Sequence, residues 1–361
     1  MKKCLIILCL CFNMVFVKQQ QAAITAYLNY AVFETPGQGP YLETYISVIG
    51  SSVKPVKNQH SNYQGAVEIA IRFIQNNEIK SARKYVLNGP ETTDTLNLPN
   101  FIDQQRFVLP NGEYTMEITI VDKNKPDQQP FLTNIPVKVN MPVDKIAISD
   151  IQLLESYGKS TASSVITKSG YDLVPYVSSL FPENISKLKF YAEIYHTLGT
   201  VGEAEKIVIN YFLESSEKQL KNVSYASFLK AVTSEVNVVL GELNIQNLPT
   251  GNYNLVIEVR DKENKLLADQ RSSFQRINKE IPLNKERMQA IDVSNSFVSA
   301  YKNIDTLSEY IRSLRPISGS TEIPFAENLL KESKLELQQQ YLYNFSTTRN
   351  ADAATAWLAY H

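Results

Sequence analysis

A chain of 361 residues can build several hydrophobic cores, and its 36 basic and 37 acidic side chains leave a formal net charge of -1. No run of like charge is long enough for the basic face of a nucleic-acid binder or the polybasic patch of a membrane-surface protein. With 20 tyrosines and 15 phenylalanines the chain is too rich in aromatic residues for disorder, and it favours strands.

Met1-Lys2-Lys3 forms a short basic start, and Cys4 to Val17 is an uncharged, mostly apolar run. That run is too short for a bilayer, which takes about 20 apolar residues. Residues 1–22 therefore read as a cleavable signal peptide, cut between Lys18 and Ala23. The expected location is exported: the periplasm, the cell envelope or beyond, with no integral membrane span in the mature chain. All three cysteines, Cys4, Cys9 and Cys11, leave with this segment. The mature chain is thus expected to lack disulfides, thiol nucleophiles and cysteine-held metal sites. Bulky Leu8 and Leu10 precede Cys9 and Cys11, where lipid-modified cysteines prefer small neighbours.

Beyond residue 22 the chain repeats itself. Leu109-Pro110-Asn111-Gly112-Glu113-Tyr114 matches Leu248-Pro249-Thr250-Gly251-Asn252-Tyr253, and at the same offset Ile118, Ile120 and Asp122-Lys123 match Ile257, Val259 and Asp261-Lys262. Each copy reads as a turn, with proline presetting φ and glycine permitting a positive one, followed by a hairpin into Phe131–Val139 or Leu266–Phe274. This is the closing hairpin expected of an immunoglobulin-like or fibronectin-like sandwich. In the first module, 23–141, strands are expected over Thr25–Phe33, Tyr41–Ile49 and Val67–Phe73, with a turn at Asn76-Asn77 into a partner strand through Val86. In the second, 142–281, strands are expected over Ile146–Leu154, Lys187–Thr197, Lys206–Leu213 and Val236–Ile245. Lys218–Val232 is irregular and reads as room for a short helix.

After Pro282 the period changes, and 282–361 reads as a helical segment. Helices are expected over Lys285–Lys302, from a Thr306-x-x-Glu309 capping box to Pro316, over Pro324–Phe345, and from about Asp352 through Trp357. Their apolar stripes must be covered by the sandwiches, by each other or by a partner.

Three stretches carry a family resemblance. They are Ala26-Tyr27-Leu28-Asn29-Tyr30 with Gly39-Pro40-Tyr41-Leu42-Glu43-Thr44-Tyr45; Ile304-Asp305-Thr306-Leu307 through Leu314-Arg315-Pro316-Ile317-Ser318; and Tyr343-Asn344-Phe345 through Arg349-Asn350 to Ala356-Trp357-Leu358. Together they resemble the GWxTD-domain-containing proteins of Bacteroidota, over most of the mature chain. The resemblance implies no assigned biochemical role. The Gly-Trp-x-Thr-Asp run itself does not occur, Ser346 stands where relatives have Trp, and Ala351 where they often have Pro. The chain is accordingly read as a truncated member, and no functional residue is carried over.

Catalytic signatures are lacking: there is no Gly-x-Ser-x-Gly elbow, phosphate loop, dinucleotide fingerprint or His-Glu-x-x-His helix. Of the three histidines, His60 sits in a polar turn, Asn58–Asn62, and His361 is the last residue. His196 continues the parity of Leu188, Phe190, Ala192 and Ile194 as a core or edge strand residue. Glu34 and Glu43, flanking Pro36-Gly37-Gln38-Gly39-Pro40, are the one carboxylate pair worth inspecting, with Glu43 expected as an outward, solvated strand position. No catalytic, cofactor-binding or metal-ligating residue is assigned, and no cofactor is expected. The resulting expectation is a non-enzymatic envelope interaction or scaffold protein with a protein partner. The alternatives are targeting modules for a catalytic domain absent from this chain, or a glycan-binding protein.

Overall fold

The computed structural model describes residues 24–216, 219, 221–278, 288–289, 291–294, 296–319, 322–349 and 353–360. The expected signal peptide and His361 lie outside them. The fold is mainly β: two tandem immunoglobulin/fibronectin-like sandwiches followed by a helical segment.

The first sandwich contains β1 (Ala26–Thr35), β2 (Gly39–Val48), β3 (Val56–Lys57), β4 (Tyr63–Gln64), β5 (Ala66–Gln75), β6 (Glu78–Asn88), β7 (Phe101–Val108), β8 (Gly112–Asp122) and β9 (Phe131–Val139). Sheet β1-β2-β7 packs on sheet β6-β5-β8-β9. Period-two alternation sends Val67, Ile69, Ile71 and Phe73 of β5 into the core, all fully buried. Asn76 and Asn77 both take positive φ, 51° and 62°, as a two-residue hairpin turn requires. β7 is absent from the sequence reading because Asp103-Gln104-Gln105-Arg106 hides its alternation. Phe101 and Phe107 face the core, while Gln104 is buried toward the second sandwich.

The second sandwich contains β10 (Ala147–Ile148), β11 (Gln152–Lys159), β12 (Thr167–Lys168), β13 (Tyr171–Pro175), β14 (Leu180–Phe181), β15 (Lys187–Tyr195), a short helix α1 (Thr197–Val201), β16 (Lys206–Ser215), β17 (Lys221–Val232), β18 (Val236–Asn244), β19 (Gly251–Arg260) and β20 (Leu266–Arg276). One sheet joins β10, β11, β13 and β12 to β15, with β18 on the far side of β15; the other runs β14-β20-β19-β16-β17. The strand expected over Ile146–Leu154 is interrupted because Asp150 leaves the ladder for β1 of the first sandwich, its N–H donating to the Val32 carbonyl at 3.0 Å. The helix considered within Lys218–Val232 is instead the edge strand β17, among the described residues of that span. One exposed side and a break in register between Phe212 and Leu213 weaken its sequence pattern.

The repeat sits where the fold needs it. In both sandwiches the tyrosine folds back to cap its own turn: Tyr114 OH donates to the Pro110 carbonyl at 2.9 Å, and Tyr253 OH to the Pro249 carbonyl at 3.1 Å. Such a tyrosine corner marks immunoglobulin-type sandwiches. The glycines do not take the expected positive φ. They make room instead, since a Cβ on Gly251 would stand 3.2 Å from the Tyr253 ring, and one on Gly112 would stand 2.5 Å from Gln75 Nε2. Asn111 exchanges two hydrogen bonds with Met141, and Thr250 two with Asn278, so the repeat also ties down the end of each module's last strand.

The helical segment has its own core, in which Leu307, Ile311, Leu337, Tyr341, Phe345 and Trp357 meet. Its helices are α2 (Ile304–Ser313), α3 (Glu322–Glu332), α4 (Leu335–Thr347) and α5 (Ala353–Tyr360). Three expectations change. The described part of Lys285–Lys302 is helical at Met288-Gln289, irregular over 291–294, and closes in a 3-10 turn over Phe297–Ala300. The cap of α2 is Asn303, whose side chain accepts from the Asp305 and Thr306 N–H groups, so the helix starts before the Thr306 box. Pro324–Phe345 is broken at Ser333, which adopts φ 50°. Gln275 of β20 donates to the Thr347 and Thr348 carbonyls, docking α4 on the second sandwich. No described helix is long and apolar enough to cross a membrane.

Candidate functional site

Among the described residues, the buried charged side chains Glu34, Glu43, Lys168 and Glu193 collect where the two sandwiches meet. The outer face of β1-β2-β7 lies against β11, β13 and β15, and Ala31, Phe33, Tyr45, Leu154, Leu173, Val177 and Tyr191 form a shared apolar cluster there. Beside it Glu43, fully buried, accepts from Tyr45 OH at 2.6 Å, Arg106 Nε at 2.6 Å and Lys168 Nζ at 2.8 Å. Lys168 arrives on the β12–β13 hairpin, whose turn residues Ser169 and Gly170 both have positive φ. Its ammonium lies 3.3 Å from the centroid of the Phe33 ring.

Burial pushes the Glu43 carboxyl up, but Lys168, Arg106 and the Tyr45 hydroxyl together hold it below the usual carboxylate range. Lys168 goes the other way: burial outweighs Glu43 and pulls its pKa down to about 8. The asymmetry is physical, because Glu43 has two cations, while Lys168 shares its ion-paired carboxylate with Arg106, whose charge opposes its own, and gains less from Glu193. On the same seam Glu193 accepts from Tyr191 OH and Tyr195 OH, and burial followed by the Glu193 charge pushes both phenols well above their ordinary value.

Glu34 and Glu43 do not form a pair. Glu34 stands opposite Pro40 and Glu43 opposite Ala31 in the β1–β2 ladder, so strand parity puts them on opposite faces. Glu43 is not solvated but sealed between the modules. Glu34 meets His196 Nε2 at 3.1 Å. His196 is not a strand residue: β15 ends at Tyr195, and His196 turns at φ 64° to open α1. This pair lines a cleft of about 490 Å³ together with Pro36, Val143, Asp144, Leu198 and Glu235. His60 lies in the expected polar turn, exposed and 3.3 Å from Glu91. Among the described residues no three His, Cys, Asp or Glu side chains converge to hold a metal ion.

Lys168, Arg106, Glu193 and Asp150 carry this junction, and the sequence reading does not single out any of them. The signals available were a Ser-Gly turn directly after Lys168 and the alternation Tyr191-x-Glu193-x-Tyr195. Chemically the cluster is a latch: the low-pKa amine is closed off by aromatic rings, and each carboxylate is already hydrogen-bonded.

No protein-family model matches the chain, and no curated protein matches it. Among solved structures it is similar to red sea bream transglutaminase, at 9% identity and a TM-score of 0.22, over 72% of this chain and 32% of that one. The chain thus spans about a third of that protein's length. It is also similar to the fibronectin(III)-like modules of Clostridium thermocellum CbhA, at 15% identity and a TM-score of 0.16, over 66% of this chain and 85% of that one. A third similarity is to the serine-rich repeat protein Srr2 of Streptococcus agalactiae, at 9% identity and a TM-score of 0.22, over 70% and 92%. Likeness at this level carries neither an activity nor a partner across.

Proposed function

We propose that the chain is a non-enzymatic, extracytoplasmic interaction or scaffold protein of the cell envelope, related to the GWxTD-domain proteins of Bacteroidota, with an envelope protein as its partner. One observation carries this reading. The acid and base groups at the junction are already engaged: Glu43 with Arg106 of its own sandwich and Lys168 of the other, Glu34 with His196 across the junction, and Glu193 with Tyr191 and Tyr195 of its own strand. A pair of sandwiches locked in this way, with a helical segment docked on one of them, suits the presentation of fixed surfaces. The basic start and apolar run of residues 1–17 support the exported location.

The test is to incubate the purified chain with isolated envelopes and, separately, with chromogenic ester, glycoside and peptide substrates. Saturable envelope binding without turnover is expected. Turnover that disappears in Glu34→Gln or His196→Ala would make the cleft an active site and overturn the reading. Retention on polysaccharide stripped of protein would make the partner a glycan.

A further inference from the structure

Edge strands invite pairing with other chains, and several edges of this molecule are closed by recognisable means. The free side of β1 is bonded to Asp150 and to Tyr195 OH. β6 carries Lys80, Arg83 and Lys84, and β9 carries Pro136 and Lys138. β20 is flanked by β14. Over its last seven residues β17 has no proline and no flanking strand: it carries one lysine, Lys230, and its final carbonyl, Val232, accepts from Asn237 Nδ2 at 2.7 Å. From Ala226 to Val232 it pairs without interruption with Lys206–Phe212 on one side, and it is the terminal strand of its sheet. Leu229 and Ala231 pack toward the core. On the alternate face Phe228 is 61% exposed and Val232 53% exposed, and Lys230 is the only charge in the segment.

The segment is complementary to itself. A two-fold axis through Leu229 places 226 opposite 232 and 228 opposite 230. On the outer face each Phe228 then meets the Lys230 of the other copy, a cation over a ring, and each Ala226 meets a Val232. Other registers are worse. Centring on Lys230 sets two lysines against each other. Centring on Phe228 runs into Val223–Tyr225, which the ladder with β16 skips. The axis through Leu229 uses the whole regular segment and opposes no like charges.

We propose that β17 pairs antiparallel with β17 of a second copy of this chain, with Leu229 on the axis, joining two five-stranded sheets into one. The occupant is the chain itself, so the proposal goes beyond the envelope-partner reading, and its failure leaves that reading standing. A single strand pairing is a small interface at the weak, transient end of the range, so association belongs at high protein concentration.

Sedimentation equilibrium of the purified chain over a wide concentration range tests it. The wild type is expected to dimerise reversibly. Phe228→Lys sets lysine against Lys230 and is expected to weaken the dimer at least tenfold. Phe228→Glu sets a carboxylate there and is expected to retain it, with greater sensitivity to salt. Phe228→Lys combined with Lys230→Glu is expected to restore association, which separates a lost contact from a damaged fold. A wild type that stays monomeric, a Phe228→Lys dimer as tight as wild type, or equal loss in the lysine and glutamate variants would each overturn the proposal.

Discussion

Two tyrosine hydroxyls, a hundred and more residues apart in sequence, do the same job in each sandwich, and their worth can be measured separately. Tyr114→Phe and Tyr253→Phe each remove one hydrogen bond to a proline carbonyl while keeping the ring. Each is expected to lower the stability of its module by about 1 kcal/mol in urea denaturation. Lys168 makes a prediction of opposite sense to an ordinary lysine. Its folded pKa of about 8 lies below the unfolded value near 10.4, so between those pH values the unfolded chain holds the extra proton. Stability should therefore rise as pH climbs from about 8 to about 10. Above about 10 it should fall, because burial keeps Tyr41, Tyr191 and Tyr195 protonated in the fold while the unfolded phenols ionise. A denaturation series over this range checks it, with Lys168→Met expected to abolish the rise and leave the fall.

Among the elements, those with a regular inward period were visible in advance: β5 and β8 alternate strictly, and β19 keeps Leu255, Ile257 and Val259 in the core although it buries Asn254 and Val256 as well. β7 was hidden because polar Asp103 and Gln105 share the parity of its core-facing Phe101 and Phe107, while apolar Ile102 and Val108 on the other side are exposed. β17 was hidden because it is an edge. Close approach between elements was equally hidden, and it supports another prediction. Gly241 of β18 lies opposite Phe190 of β15, and a Cβ there would stand 2.7 Å from the ring. Gly241→Ala is expected to cost roughly 1–3 kcal/mol, seen as a lowered denaturation midpoint. Ser333, at φ 50° between α3 and α4, should respond the other way. Ser333→Gly relieves the left-handed backbone and is expected to stabilise the helical segment by about 1 kcal/mol.

For the molecule as a whole, the seam between the sandwiches sets the behaviour. Phe33 is fully buried on that seam, 5.7 Å from the Tyr41 ring and 6.2 Å from the Tyr191 ring, with the Lys168 ammonium over its face. The two sandwiches are therefore expected to unfold in one calorimetric transition. Phe33→Ala, which empties the seam and removes the ring under the lysine, is expected to split that transition into two. The sequence by itself determined the strand-rich class, the duplicated closing hairpin and the change to helical period after Pro282, because each is a local pattern of period or turn chemistry. Only the tertiary structure decided that Glu43 is buried rather than solvated, that Glu34 meets His196 rather than Glu43, and that Lys168 crosses from one module into the other. Those outcomes depend on which sheet faces pack together, and sheet packing brings together residues more than a hundred positions apart that no local pattern connects.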